Sequence, residues 1–381
     1  MQFRSVTTIS ALALGAALFT VPVFAADGSV EGGKASINAA VDRDAPLTLP
    51  AKATAKPIPT IDPASLSRGI GGMDADAAAA SMTTFTMNRD GTTAETPAPE
   101  GLRAIIAQDV KGAPPHKGPV KTDPAPPTPP TPSPPTPSPP TPPKPAPPTP
   151  PTPEVTPPSA AVQVTDTSTN PYINVGWVWA QKQDGNWWTC TGTQIGPKTV
   201  ITSADCLYDH ATGGWVKALI WYPGMTDGKT APYGQFDWAN MNILKGFIDN
   251  YDGSNFSSVM PWDLGEIELS EDATNLGWLG FKIDDATDFN ANLIGYPDGV
   301  PVPGSQWKST CTVPANNFGD TEFVHDCSTA PGDGGAAMFS DDGNGNFLVR
   351  GIHVADSADG KSHYGLRLTD AYFQFLQDNY R

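Results

Sequence analysis

The pattern of hydrophobic and polar positions divides the chain into two parts. From about residue 171 onward, short runs of β-branched and aromatic residues are separated by Gly, Asp, Asn and Pro. Short strands with frequent turn signals predict an all-β sandwich or barrel. One helix is predicted at the end of the chain, where Thr369 and Asp370 can cap residues 371–378. The strand candidates are residues 173–180, 199–203, 218–222, 292–296, 347–353 and 364–368.

The residues before 171 offer little from which to build a core. All 10 Trp and all 9 Tyr lie at or after Tyr172. Residues 27–123 are rich in Ala, Thr, Pro, Gly and Asp and show no sustained periodicity, so we expect disorder there, with a propeptide as the alternative. Residues 124–158 contain 21 prolines in 35 positions, which predicts a polyproline II linker or stalk. Residues 1–26, in which Arg4 precedes an apolar stretch, predict an export signal.

The two parts also differ in charge. Residues 1–170 hold 14 acidic and 12 basic side chains, whereas residues 171–381 hold 26 and 11, a net charge of −15. An acidic domain repels nucleic acid and anionic membranes, so we expect neither as a partner and no membrane insertion after signal removal. The sequence therefore predicts a secreted or periplasmic monomer, in a compartment that permits disulfides.

Three blocks of the second part resemble the trypsin-like serine proteases. Residues 190–206 read CTGTQIGPKTVITSADC and are similar to the family block that ends Leu-Thr-Ala-Ala-His-Cys. Residues 262–269 read WDLGEIEL and resemble the block that carries the triad aspartate. Residues 327–339 read CSTAPGDGGAAMF and resemble the nucleophile turn Gly-Asp-Ser-Gly-Gly/Ser-Pro. Order and spacing agree across nearly all of residues 171–381.

The bacterial glutamyl-endopeptidase-like branch shows the closer resemblance. Its features recur at residues 295–297, 325–327 and 351–353. The resemblance implies two six-stranded antiparallel β-barrels over residues 171–381, with the site in the cleft between them. Four cysteines allow three pairings. The resemblance favours two structural disulfides, Cys190–Cys206 and Cys311–Cys327.

The positions that the resemblance maps onto the catalytic triad do not form a triad. Asp263 fills the aspartate position, but Asp205 stands in the histidine position and Gly334 in the serine position. Loss of a triad serine or histidine costs on the order of a million-fold in turnover, so the ordinary reaction should be absent. The backbone N–H groups of Gly332 and Gly334 remain as the implied oxyanion hole.

The resemblance also assigns a specificity pocket. His353 matches the histidine with which glutamyl endopeptidases hold an acidic side chain, and Thr329 lies near the pocket's entrance. Asp356 and Asp359 follow His353 and make the predicted pocket more acidic. A structural role in the core is the alternative for His353.

Asp205 and Asp263 are expected to face each other. Two carboxylates about 4 Å apart would repel by roughly 4 kcal/mol at an effective dielectric constant of 20. A shared proton or a weakly bound cation would relieve this repulsion, and we favour the shared proton. We predict neither a metal site nor a cofactor.

Three functions are open from the sequence. The leading one is an exported, inactive protease homologue that binds a peptide or protein ligand through its cleft or surface loops. One alternative is an active secreted endopeptidase that uses relocated residues such as His210, Ser328 or Ser340. The other is a structural envelope protein carried on the Pro-rich stalk.

Overall fold

The computed structural model describes residues 28–35, 49–50, 52–66, 69–102, 104–106 and 160–381. The predicted export signal (1–26) and Pro-rich linker (124–158) lie outside the described residues. Among the described residues, no helix is long and apolar enough to cross a membrane. The α-helices are α1 (Ala75–Ser81), α2 (Gly246–Asp249) and α3 (Asp370–Asn379), and residues 100–102 and 104–106 are also helical.

The strands dominate and are numbered here in chain order. They are β1 (Ser29–Val30), β2 (Ala53–Ala55), β3 (Thr60–Ile61), β4 (Thr84–Asn88), β5 (Thr93–Thr96), β6 (Val162–Gln163), β7 (Val175–Gln181), β8 (Trp187–Gln194), β9 (Thr199–Thr202), β10 (Tyr208–Asp209), β11 (Gly214–Trp215), β12 (Ala218–Pro223), β13 (Phe236–Leu244), β14 (Gly265–Leu269), β15 (Gly280–Lys282), β16 (Phe289–Gly295), β17 (Trp307–Val313), β18 (Glu322–His325), β19 (Ala337–Asp341), β20 (Phe347–Ser357) and β21 (His363–Arg367).

Six antiparallel strands close the first barrel. They pair in the order β12-β7-β8-β9-β14-β13, and β13 pairs back to β12. Alternation of side chains in these strands places residues such as Val178, Trp221 and Ile267 in the core, where each is fully buried. The second barrel follows the antiparallel path β17-β16-β19-β20-β21-β18.

The predicted fold and disulfides are confirmed. Each of the six strand candidates coincides with a strand, and α3 begins after its N-cap Thr369, as expected. Cys190–Cys206 ties β8 to the turn after β9, and Cys311–Cys327 ties β17 to the turn after β18. These links hold the two turns that carry Asp205 and Gly334.

The expectation of disorder for residues 27–123 is wrong for the part of them that the structure describes. Strand β1 pairs with β15, β2 with β8, β3 with β20, and β4 with both β13 and β5. Isolated apolar side chains anchor these additions, and Val30, Ile61 and Met82 are almost fully buried. The region lacks periodicity because each short strand adds to a sheet that is built mainly by the rest of the chain. Its removal as a propeptide stays a prediction.

A candidate site where the two barrels meet

The glycine-rich turn before β19 contains two glycines that the backbone requires, Gly332 and Gly335, and one that it does not, Gly334. Gly332 has φ +99°, and a Cβ there would lie 2.4 Å from the carbonyl oxygen of Tyr296. Gly334 lies outside the left-handed region, and a Cβ there would meet nothing closer than Ser203 Oγ, at 3.9 Å. The turn could therefore hold a serine at position 334, and glycine is there for no steric reason.

The two aspartates are in contact through the backbone of Asp205 rather than through their two carboxyl groups. A 3₁₀ turn (Ala204–Cys206) carries Asp205, whose backbone N–H donates to Asp263 Oδ1 at 2.8 Å. Asp263 is fully buried, and its Oδ2 has no hydrogen-bond partner among the described residues. Burial, together with the neighbouring charge of Asp205, raises the pKa of Asp263 well above its usual value, and the charge of Lys56 opposes this shift.

The positive charge beside the aspartates comes from Lys56. Its ammonium group forms an ion pair with Asp205 Oδ2, and the two side chains are only 14% and 8% exposed. The other oxygen of Asp205 accepts a hydrogen bond from Ser203 Oγ at 2.5 Å. The Lys56 ammonium also lies 5.1 Å from the centre of the Trp188 ring, within cation–π range. From the sequence, a shared proton or a weakly bound cation was expected here, and not a lysine side chain.

The backbone of Lys56 engages one of the two donors of the implied oxyanion hole, the N–H of Gly332. The N–H of Gly332 donates to the carbonyl oxygen of Lys56 at 3.0 Å, and the N–H of Lys56 donates to the carbonyl oxygen of Thr189 at 2.9 Å. One residue of the N-terminal region thus contacts both an aspartate at a triad position and a backbone donor in the turn.

His353 lies in a cluster of three histidines. Its Nδ1 is 3.2 Å from Nε2 of His325, and His325 is the register partner of His363 across β18 and β21. Nδ1 of His363 is 3.0 Å from Thr329 Oγ1 and 2.5 Å from Asp356 Oδ1. Asp356 also lies 3.9 Å from His353 Nε2. The carboxylate that faces these histidines is therefore that of Asp356, a residue of the chain itself.

His353 should make the protein less stable in acid. Burial lowers its pKa from 6.5 to about 4, so the folded protein disfavours the charged ring. The resulting stability is fully present above pH 6.5 and is lost as the pH falls towards 4, by about 3 kcal/mol. We expect the gap in unfolding free energy between the natural protein and His353→Gln to shrink by that amount between pH 7 and pH 4. Urea unfolding at several pH values measures it, and a constant gap would contradict the assignment.

His210, the candidate for a relocated imidazole, lines a pocket together with Asp205 and Lys56 and packs against aromatic rings. Its ring stacks on Tyr251 with centroids 4.0 Å apart and lies 4.6 Å from the ring of Phe247. It therefore belongs to an aromatic cluster on the first barrel.

Barrel closure, paired disulfides and the terminal helix define a trypsin-like serine protease fold. A solved Glu endopeptidase, in complex with MPD, superimposes with a TM-score of 0.50 at 22% identity, covering 57% of this chain and 95% of that one. No family model matches the chain.

The sequence relatives are named as proteases. The chain is 29% identical over 180 residues to the glutamyl endopeptidase of Bacillus licheniformis, covering 46% of this chain and 52% of that protein. It is 24% identical over 196 residues to the extracellular metalloprotease of Bacillus subtilis, covering 49% and 57%. The chain thus spans about half the length of the curated relatives it matches. The chain therefore has the trypsin-like fold, and about half of it is similar in sequence to a glutamyl endopeptidase.

Proposed function

We propose that this chain is an exported, catalytically inactive protease homologue whose cleft binds extended peptide. One observation carries the proposal: the cleft already holds an extended peptide, residues 53–61, through main-chain hydrogen bonds to both barrels. The residue at its centre, Lys56, lies against the position where a protease would carry out the reaction.

The chemistry of the centre supports binding without hydrolysis. Gly334 offers no hydroxyl to attack a carbonyl carbon, and the carboxylate of Asp205 is already engaged by Ser203 and Lys56. Gly332 already donates its N–H to the carbonyl oxygen of Lys56, so that donor is not available to a developing oxyanion. The nucleophile and the base are therefore replaced, and one donor of the oxyanion hole is occupied.

Export is supported by the predicted signal, by the two disulfides, which persist in oxidising compartments, and by the extracellular protease among the relatives. The acidic charge of the barrels favours a peptide or protein ligand over nucleic acid.

A fluorophosphonate probe for serine hydrolases tests the absence of catalysis. We expect the natural full-length protein to show no more labelling than a heat-denatured sample, and no cleavage of casein, while an active trypsin-like protease reacts in parallel. Labelling of the native sample would overturn the proposal, and mapping the labelled residue would identify a relocated nucleophile.

A further inference from the structure

Residues 53–61 bridge the two barrels at the candidate site. Strand β2 pairs in parallel with β8, where Ala55 lies opposite Thr189. Strand β3 pairs in parallel with β20, where Thr60 lies opposite Asp356. The N–H of Asp356 donates to the carbonyl oxygen of Pro59 at 2.9 Å. The segment therefore has main-chain partners on both sides of Lys56.

The side chain of Lys56 enters a setting suited to an ammonium ion. Asp205 supplies a carboxylate, and the ring of Trp188 supplies a π face. Asp263, fully buried directly behind Asp205, adds a second carboxyl group whose Oδ2 has no partner among the described residues. The charge of Lys56 opposes the rise that burial and Asp205 cause in the pKa of Asp263, so the ammonium group favours the ionised form of this second carboxyl group.

The sequence of the segment prepares it for this position. Pro57 and Pro59 lack the N–H donor and fix φ, so these two residues bring no unpaired donor into the cleft. A residue that precedes proline, here Lys56, is biased towards extended backbone. Such a segment loses less conformational freedom on docking than a flexible one does.

We propose that Asp205, Asp263 and Trp188 form a receptor for a lysine ammonium group presented on an extended peptide, and that residues 53–61 are its resident ligand. This inference rests on the proposed function, because it names what the non-catalytic cleft recognises. A histidine at position 205 would not supply the negative charge that the ammonium requires, so the replacement of the triad histidine creates the receptor. Another peptide would have to displace this segment, which is held at high local concentration by its covalent link.

Amine acetylation of the native full-length protein tests whether Lys56 is bound. Lys52 lies four residues earlier, is exposed, and is the matched control. With sulfo-N-hydroxysuccinimide acetate and mass spectrometry, we expect Lys56 to react on the order of a hundredfold more slowly than Lys52. Equal rates would overturn the inference.

Charge reversal tests whether the receptor recognises charge. In Lys56→Glu, amide hydrogen exchange at Gly332 should accelerate on the order of a hundredfold, because its acceptor leaves the cleft. Lys52→Glu makes the same charge change outside the cleft and should leave this rate unchanged. An equal effect of both variants, or of neither, would overturn the inference.

A synthetic peptide tests recognition of a separate molecule. The peptide KATAKPIPTI, residues 52–61, should bind the full-length Lys56→Glu protein, and a peptide with methionine replacing its second lysine should not. Equal binding of the two peptides, or none of either at millimolar concentration, would overturn the receptor. Fluorophosphonate labelling of the natural protein would refute only the proposed function, whereas a freely acetylated Lys56 in an unlabelled protein would refute only this inference.

Discussion

Introducing a serine at position 334 and a histidine at position 205 is expected to leave the full-length protein poorly reactive towards a fluorophosphonate while residues 53–61 remain in the cleft. The Gly334→Ser, Asp205→His variant should react slowly with a fluorophosphonate. The same variant with residues 53–60 replaced by a Gly/Ser stretch of equal length should react on the order of a thousandfold faster, because removing the segment frees a donor of the oxyanion hole.

The structure accommodates both returned side chains. A Cβ at position 334 would make only an ordinary van der Waals contact, with Ser203 Oγ 3.9 Å away. The unpartnered Oδ2 of Asp263 can accept a hydrogen bond from an imidazole at position 205, which orients the ring for proton transfer. The turn therefore has room for the serine, and Asp263 offers an acceptor for the imidazole.

The main chain of Lys56 is the remaining obstacle. A histidine at position 205 removes the ion pair but leaves the hydrogen bonds from Gly332 to the Lys56 carbonyl and from Lys56 to the Thr189 carbonyl. A Gly/Ser stretch of the same length keeps the chain connected and lacks both the prolines and the lysine.

The rate of probe labelling, with casein hydrolysis beside it, measures the effect. The Gly/Ser replacement in an otherwise natural chain is the control and should stay unlabelled, since it has no hydroxyl at position 334. Fast labelling of the double variant with its native segment would show that residues 53–61 do not block the site.

Local sequence was enough to predict the framework of the site. Three short blocks resemble trypsin-like proteases, and this resemblance assigned Asp205, Asp263 and Gly334 to the triad positions. The contact between Asp205 and Asp263, a 2.8 Å hydrogen bond from Asp205 N to Asp263 Oδ1, follows from the fold that those segments form.

Lys56 could not be found in the same way. It lies 149 residues before Asp205 in the chain, in a segment with few apolar side chains. Its position depends on strand edges that exist only after both barrels have formed. The histidine cluster could not be predicted for a related reason. His325, His353 and His363 lie on three different strands and meet through the register of β18, β20 and β21.

Asp333 is a buried carboxyl group whose charge the folded protein disfavours. Its Oδ2 accepts a hydrogen bond from the N–H of Ala330 at 2.9 Å, whereas Oδ1 has no partner among the described residues. It lines a cavity of about 240 Å³, which Asp298 also lines. Burial raises the pKa of Asp333 from 3.8 to about 8, and the charge of Asp356 adds to the rise. The turn that carries Gly332 and Gly334 thus contains a carboxyl group whose charged form is disfavoured by burial.

Replacing Asp333 with Asn should stabilise the protein increasingly as the pH rises. A carboxyl with a raised folded pKa contributes stability that is fully present below pH 3.8 and is lost as the pH passes 8. Asparagine has no acidic proton to lose. The difference in unfolding free energy between Asp333→Asn and the natural protein should therefore shift by about 5 kcal/mol in favour of the variant between pH 4 and pH 8.5. Urea unfolding across this range measures the gain. Asp298→Asn, exposed beside the same cavity, is the matched control, and equal slopes for the two variants would mean that Asp333 is not the titrating group.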